Sequence, residues 1–274
     1  MNLGEGIRWD SEAQAFWWTD ILGCRLYQLP HGASAPVEFE TPKRLASFSL
    51  TTDRSTLLCA FDDELALWKP GSGHVTTLHR LERPGQRYND GRTDRHGTFW
   101  VGTMIEDESM GDGSGSLFRF EENRHPVTVH NDLRITNSIC WSPDGSLRYF
   151  SDSVKRQIYR ADDRRGSCEA FIHLEDAEPD GMTVDLAGDL WLACWGAAAV
   201  RRYHADGRLR AEYPVPAKHV SCCTFGGPDG RRLAVTTART GLKYPSDADG
   251  ATFIFLTDSQ GRADQPATIT SPDP

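Results

Sequence analysis

Several features that define other classes of protein are missing from this 274-residue sequence. No apolar run approaches the roughly 18 residues of a membrane-spanning helix, and no leader-like segment precedes the first strand pattern. Basic residues are outnumbered, 30 against 39 acidic ones, which gives a formal net charge of −9. A nucleic-acid surface needs clustered Lys and Arg, so we expect no nucleic-acid partner. The missing apolar run and leader lead us to expect no membrane association and a cytoplasmic protein.

The cysteines also lack the patterns of a disulfide framework or a zinc site. There are seven, an odd number, and none forms a C-x-x-C pair. Most lie inside apolar strand patterns, where a free cysteine behaves as a small hydrophobic residue. We therefore predict reduced cysteines without a zinc cage.

Common catalytic motifs are absent as well. The sequence has no G-x-S-x-G elbow, no phosphate-binding P-loop, no G-x-G-x-x-G and no H-E-x-x-H. This excludes a serine hydrolase of the usual kind, a P-loop nucleotide enzyme and a zincin. No helical period of ten residues or more is convincing, which leaves an all-β chain.

What the sequence has is a repeat. A turn containing Asp, followed by a short apolar strand, recurs six times at spacings of 43, 41, 50, 41 and 44 residues. The six turn markers are Asp10, Asp53, Asp94, Asp144, Asp185 and Asp229. A further short strand follows in each unit, as in Gln157-Ile158-Tyr159. Even spacing with several strands per unit predicts a six-bladed β-propeller with four-stranded antiparallel blades around a central channel.

The predicted propeller is a single domain that spans residues 1–260. Residues 261–274 form a polar C-terminal tail. A polar terminus without a strand pattern is expected to be disordered.

The turn markers also align the inner strands. Each inner strand is expected to end shortly before its marker, at Trp9, Thr51, Thr93, Trp141, Val184 and Phe225. Stepping back four residues from these positions keeps the side chain on the same strand face. The step reaches a polar residue in all six units: Glu5, Ser47, Asn89, Asn137, Asp180 and Ser221. These residues, named the polar ring below, should lie at one height around the channel.

The polar ring contains oxygen donors that suit a hard divalent cation. Glu5, Asn137 and Asp180 supply two carboxylates and an amide oxygen, and Asn89 could reach a cation directly or through water. The alternative is that such residues only bond loop backbone groups. Two facing carboxylates in a confined channel repel each other unless a cation or protons intervene, which favours the cation site.

Further polar residues lie beside the ring. Arg87 is two residues before Asn89 and can hold substrate oxygens through its planar guanidinium. The cluster Glu106-Asp107-Glu108 could accept hydrogen bonds from hydroxyl groups or could be an ordinary solvated loop. His219 is either a residue of the channel rim or a surface histidine.

Six segments together carry a family resemblance. They are Gly4-Glu5-Gly6-Ile7-Arg8-Trp9, Arg87-Tyr88-Asn89-Asp90-Gly91, Gly102-Thr103-Met104, Asn137-Ser138-Ile139-Cys140-Trp141, Pro179-Asp180-Gly181-Met182 and Ser221-Cys222-Cys223-Thr224-Phe225-Gly226-Gly227. In order and over nearly the whole chain they resemble the SMP-30/gluconolactonase, regucalcin-like family. The resemblance implies a six-bladed propeller, one divalent cation and hydrolysis of sugar lactones to aldonic acids.

By position, the resemblance assigns roles to individual residues. It implies metal ligation by Glu5, Asn137 and Asp180, and substrate binding by Arg87 and Asn89. Asp107 falls where the family often has a substrate-contacting carboxylate, with Glu106 beside it. The lead-in before Gly4-Glu5-Gly6 is shorter than is usual in the family, so the closure between the first and last blades is open.

The hypothesis from sequence is a metal-dependent lactonase acting on a gluconolactone or pentonolactone. Asp180 is expected to serve as both base and ligand. The cation could be calcium, magnesium, manganese, zinc or iron(II), since oxygen ligands admit all of them. Three alternatives stay open: a calcium-binding regulatory propeller, a protein-interaction scaffold, and a hydrolase of other esters or organophosphates.

Overall fold

The computed structural model describes residues 1–107, 109, 114–120 and 125–269. These residues form 23 β-strands, and every pairing between consecutive strands of a sheet is antiparallel. Among them no helix is long and apolar enough to cross a membrane. The chain is therefore all-β throughout the described part, as its repeat predicts.

Four sheets have four strands each, in chain order from the first strand to the fourth. The first sheet contains β1 (Gly4–Asp10), β2 (Ala15–Asp20), β3 (Arg25–Pro30) and β4 (Val37–Glu40). The second contains β5 (Leu45–Leu50), β6 (Leu57–Phe61), β7 (Glu64–Trp68) and β8 (Val75–Arg80). The third contains β9 (Gln86–Thr93), β10 (Phe99–Ile105), β11 (Gly115–Phe120) and β12 (Pro126–Leu133). The fourth contains β13 (Thr136–Trp141), β14 (Arg148–Asp152), β15 (Gln157–Asp162) and β16 (Ser167–His173).

The fifth sheet has seven strands. It contains β17 (Glu178–Val184), β18 (Leu190–Trp195), β19 (Ala199–Tyr203), β20 (Leu209–Pro214), β21 (His219–Gly226), β22 (Arg232–Ala238) and β23 (Thr252–Leu256). One bridge, between Trp195 and His219, joins β18 to β21. The fold is thus propeller-like, with four four-stranded blades and a larger curled sheet in place of six separate blades.

The repeated aspartates have one structural role. In every unit Oδ1 of the marker accepts the backbone N–H two residues later, at 2.8–3.1 Å, and so closes a tight turn. Asp94 and Asp185 also accept the indole N–H of Trp100 and Trp191 through Oδ2, at 2.9 and 3.0 Å. The turn and the strand that follows it are fixed together, which explains why the motif recurs with a near-constant period.

The first strand of each repeat unit is the innermost strand of its sheet region. β1, β5, β9, β13, β17 and β21 each contact the next of these strands, and β21 contacts β1. They therefore enclose a channel, and all six residues of the polar ring lie on them. Apolar side chains between neighbouring sheets, such as Phe48, Phe150 and Trp191, form the buried core.

Part of the C-terminal tail packs against the sheets. Ala267 and Ile269 are buried in an apolar cluster, and Ala267 forms a parallel bridge with Thr51. Asp264 bonds to Arg8 and Arg92 at one end of the channel. Within residues 261–269, two apolar side chains and one carboxylate thus contact the sheets. Residues 270–274 lie outside the described part of the chain.

Candidate functional site

A backbone irregularity accompanies the polar ring in every unit. The pairing register of the inner strand shifts beside Glu5, Ser47, Asn89, Asn137, Asp180 and Ser221. Gly6 and Ser138 have left-handed φ values of 60° and 61°. A β-bulge turns a side chain out of the regular alternation, so these shifts aim ring residues into the channel.

Three polar residues link neighbouring inner strands. Asn89 donates from Nδ2 to Oδ1 of Asn137 at 2.8 Å and to the carbonyl of Thr136 at 3.1 Å. Asn137 in turn donates from Nδ2 to Oγ of Ser153 at 2.9 Å, and Ser153 donates to the carbonyl of Pro179 at 2.7 Å. This chain of bonds fixes the Asn137 amide with its oxygen on the side of Asn89.

Glu5 and Asp180 are the two carboxylates of the ring. Burial raises the pKa of Glu5 to about 8, and the charge of Asp90 adds to this effect. Burial, and after it the charge of Glu5, raises the pKa of Asp180 as well. The one hydrogen bond to the Glu5 carboxylate within the described residues comes from the N–H of Gly6, at 3.3 Å. A bound cation would favour the ionised form of both carboxylates and so displace their protons to solvent.

The donor set fits a hard divalent cation. The half-buried carboxylate of Glu5, the buried carboxylate of Asp180 and one amide oxygen are oxygen ligands that carry two negative charges when ionised. Within the described ranges, no three His, Cys, Asp or Glu side chains cluster to form a site by themselves. A cation here would therefore depend on Asn137 as its third protein ligand.

The two ring serines differ from the other ring residues. The hydroxyl of Ser221 donates to the carbonyl of Gly4, and its Oγ also lies 3.1 Å from Oγ1 of Thr236, so it bonds to neighbouring strands. Ser47 is fully buried, and its hydroxyl has no hydrogen-bond partner in the part of the chain that the structure describes. Neither serine adds charge to the site.

Arg87 lies at the mouth of the channel and contacts the ring directly. Its Nη1 donates to Oδ1 of Asn89 at 3.0 Å, and its Nε lies 3.5 Å from Oε1 of Glu106. Glu106 is held more tightly by Arg44, whose two terminal nitrogens bond both carboxylate oxygens at 2.6 and 3.0 Å. The hydrogen bonds from Arg44 lower the pKa of Glu106, so this carboxylate stays charged.

Asp107 is placed apart from these residues. It is exposed, and its Oδ1 accepts bonds from the N–H and hydroxyl of Ser109 at 2.9 and 2.6 Å. The structure brings together Arg87, Asn89 and Glu106 but leaves Asp107 bonded within its own loop. Glu108, the third acidic residue of the predicted cluster, lies outside the described residues.

Sequence reasoning missed four residues of this channel. Arg44 and Ser153 lie outside the aligned register, so the repeat gives no signal for them. Asp90 accepts the N–H of Ile139 at 3.1 Å and lies 3.7 Å from Arg8. Arg8 and Asp90 lie inside two of the segments that carry the family resemblance, and the charges of their side chains were the available signal.

Comparisons with known proteins place the chain among its relatives. Residues 3–239 match the family described as "SMP-30/Gluconolactonase/LRE-like region". The chain is 36% identical to the L-arabinolactonase of Azospirillum brasilense, over 96% of this chain and 91% of the relative. It is 32% identical to the pentonolactonase of Haloferax volcanii, over 95% and 93%.

A solved structure supports the same family. The calcium-binding protein regucalcin from Agrobacterium tumefaciens superposes with a TM-score of 0.87 at 34% identity, over 97% of this chain and 94% of that one. The predicted family resemblance is therefore confirmed. On the family match and these relatives, the chain belongs to the SMP-30/gluconolactonase/LRE-like family.

Proposed function

We propose that this protein is a metal-dependent lactonase that hydrolyses an aldonolactone to the aldonic acid. One observation carries the proposal: two carboxylates of raised pKa, the half-buried Glu5 and the buried Asp180, lie in a channel with Arg87 and Asn89 bonded to each other beside them. Relatives named L-arabinolactonase and pentonolactonase support a sugar lactone as the small-molecule substrate.

Glu5, Asn137 and Asp180 would hold one divalent cation. When bound, the cation would supply Lewis-acid polarisation of the lactone carbonyl and offset the negative charge of the two carboxylates. Calcium is the first candidate, because a solved relative is named a calcium-binding protein. Magnesium, manganese, zinc and iron(II) fit the same oxygen ligands.

Asp180 is the proposed base. A water molecule that attacks the carbonyl carbon must lose a proton, and the carboxylate of Asp180 can accept it as a general base. The protonated Asp180 can then return the proton to the ring oxygen as the C–O bond breaks. The reaction consumes one water molecule, breaks the ring C–O bond and leaves one carboxylic acid and one hydroxyl group on the same product.

Arg87 and Asn89 would orient the sugar. The guanidinium donates to hydroxyl or carbonyl oxygens, and its bond to Asn89 limits the positions that both side chains adopt. Glu106, kept charged by Arg44, would accept a hydroxyl hydrogen at the mouth. The same role for Asp107 remains a prediction, since its carboxylate bonds within its own loop.

We further propose that the chain is one domain, a propeller with six blades. The closed circle of six innermost strands supports this count. On this reading β17–β20 form the fifth blade and β21–β23 the sixth, and the Trp195–His219 bridge connects them. The polar ring then contributes one residue per blade.

A second candidate is a regulatory protein that binds calcium without catalysis. The name of the Agrobacterium tumefaciens relative favours it, and the same three ligands would serve. Cation binding alone does not require a buried arginine beside the ligands, so the bond between Arg87 and Asn89 at the mouth favours the lactonase over the regulatory protein.

The test is a hydrolysis assay on a panel of pentono- and gluconolactones, run with the metal-depleted protein and after adding back each divalent cation. Asp180→Asn should lower kcat about 10²- to 10⁴-fold, a typical contribution of general-base catalysis. Asp176→Asn is the matched control, because Asp176 is exposed and pairs with Arg201. Full activity in Asp180→Asn, with normal metal content, would refute the assignment.

A further inference from the structure

Trp195 and His219 stack on each other where the two halves of the seven-stranded sheet meet. Their ring centroids are 4.1 Å apart and their planes are inclined by 17°. His219 is fixed in addition by a 2.9 Å contact between Nδ1 and the carbonyl of Thr240. Both rings are half-buried, so each still presents part of its surface.

The strand register places this pair at the mouth of the channel. Trp195 is the cross-strand partner of Glu178, and Glu178 is two residues before Asp180. His219 is likewise two residues before Ser221. Glu178 and His219 stand at the starts of β17 and β21, just before the bulges that contain Asp180 and Ser221, so both rings lie at the end of the channel from which these inner strands begin. They lie at the height of Arg87, which is two residues before Asn89.

The opposite side of the mouth has a different chemistry. Inner strands follow the order β1, β5, β9, β13, β17 and β21, so β9 lies across the channel from β21. Arg44, Arg87 and Glu106 are on that side, and all three are charged. The mouth thus has a charged side and an aromatic side.

This division matches the two kinds of surface on a sugar lactone. Its hydroxyl groups need hydrogen-bond partners, which the charged side supplies. Its ring also presents a face of C–H groups, which carry partial positive charge and pack well on the negative face of an aromatic ring. Binding sites commonly combine apolar and aromatic walls with a few polar groups that fix orientation.

We propose that Trp195 and His219 form a stacked aromatic wall that packs against the C–H face of the lactone ring and determines which sugars the site accepts. The inference rests on the proposed lactonase function and adds its specificity-determining residues. Trp195 contacts the substrate, and His219 keeps the indole in position.

The experiment compares four variants on the same panel of aldonolactones. Trp195→Leu should raise KM about five- to tenfold, the range expected for one aromatic stacking contact, with kcat nearly unchanged. Trp195→Phe should restore most of the affinity, because it keeps an aromatic face. His219→Ala should raise KM less than Trp195→Leu, since it removes only the support of the indole.

Trp17→Leu is the matched control. Trp17 is also half-buried and stacked, on Phe39 at 5.9 Å and 16°, but it belongs to β2 and not to the mouth. A KM unchanged in folded Trp195→Leu, or raised equally in Trp17→Leu, overturns the proposal. So does a Trp195→Phe variant no better than Trp195→Leu.

Calorimetric binding of aldonolactones separates this inference from the lactonase itself. If the parent protein binds a lactone but hydrolyses none, the proposed function fails. The aromatic wall then stands if Trp195→Leu weakens that binding, and it fails if binding is unaffected. If the parent protein neither binds nor hydrolyses any member of the panel, both proposals fail.

Discussion

Asn89 and Asn137 are bonded side chain to side chain, with Nδ2 of Asn89 donating to Oδ1 of Asn137 at 2.8 Å. The bond spans two neighbouring inner strands and orients the amide oxygen that the proposed cation needs. Residues that orient a metal ligand are commonly worth 10- to 100-fold in metal affinity, as an order of magnitude.

We therefore expect Asn89→Ala to weaken binding of the activating cation about tenfold or more. Titration calorimetry of the metal-depleted protein measures this directly, without any need for substrate. Ser47→Ala is the control, because Ser47 belongs to the same ring but its hydroxyl has no partner among the described residues. Equal affinity in Asn89→Ala and the parent protein would contradict the role given to this bond.

The same ring shows how far the sequence alone could lead. The six innermost strands were predictable because an aspartate turn sets the register of each unit, and its Oδ1 makes the same bond every time. The bulges that aim the side chains were not, since a register shift depends on the pairing of two strands. Ser153 and Arg44 reach the site from outside the repeat register, so no spacing could reveal them.

The merging of β17–β23 into one sheet had no sequence signal either. It depends on one bridge between Trp195 and His219, two residues in different units. The contacts of the C-terminal tail have no local sequence signal for a related reason. Its composition is polar, but Asp264, Ala267 and Ile269 each meet a partner distant in sequence. Long-range contacts of this kind are not encoded in local composition.

The metal-free protein should become less stable as pH rises. Glu5 has its pKa raised from 4.5 to about 8, and the pKa of Asp180 is raised in the same sense. Between pH 4.5 and about 8 the folded chain holds protons that the unfolded chain has lost, so the free energy of unfolding falls as pH rises. The contribution is complete below pH 4.5 and is lost as pH passes about 8.

The Glu5 carboxylate alone lowers the free energy of unfolding by about 1.4 kcal/mol per pH unit inside the window, and Asp180 acts in the same direction. Urea unfolding from pH 5.5 to 9 with a chelator, and again with saturating cation, measures the effect. The cation should flatten the slope, because it replaces the protons. Glu5→Gln should flatten it without cation. If the free energy of unfolding of the metal-free protein did not change with pH, the pKa values of these carboxylates would not be raised in the folded chain, and the prediction would be wrong.

Arg44 should influence substrate affinity through Glu106. Arg44→Ala removes two bonds to the carboxylate and frees it to swing away from the mouth. Both groups are partly solvent-exposed, so we expect an increase in KM of about fivefold, equivalent to about 1 kcal/mol. Steady-state kinetics at low ionic strength give the largest difference.

Lys43→Ala is the control for this change. Lys43 is the preceding residue and has a similar exposure, 35% against 30% for Arg44, but it pairs with Asp63 and Glu64. An effect of Lys43→Ala as large as that of Arg44→Ala would mean that loop stability, and not Glu106, sets the affinity.

Asp264 should be important for the stability of the fold. Its carboxylate bonds Nε of Arg92 at 2.8 and 2.9 Å and lies 3.2 Å from Nε of Arg8. Both arginines are buried, so Asp264→Ala leaves two positive charges at the end of the channel with less compensation. Removing one partner of a buried ion pair costs about 3–5 kcal/mol, and the 22% exposure of Asp264 places the expected loss near the lower end.

Chemical denaturation of Asp264→Ala measures this loss, and Asp264→Asn tests its origin. Asn keeps the size and one acceptor oxygen but removes the charge, so an intermediate loss is expected. Asp258→Ala is the control, because Asp258 is 87% exposed and lies 3.8 Å from Arg202. If Asp264→Ala were as stable as Asp258→Ala, the tail would not anchor the inner strands through its carboxylate. The stability of the channel end would then come from Ala267 and Ile269, which are buried in the apolar core.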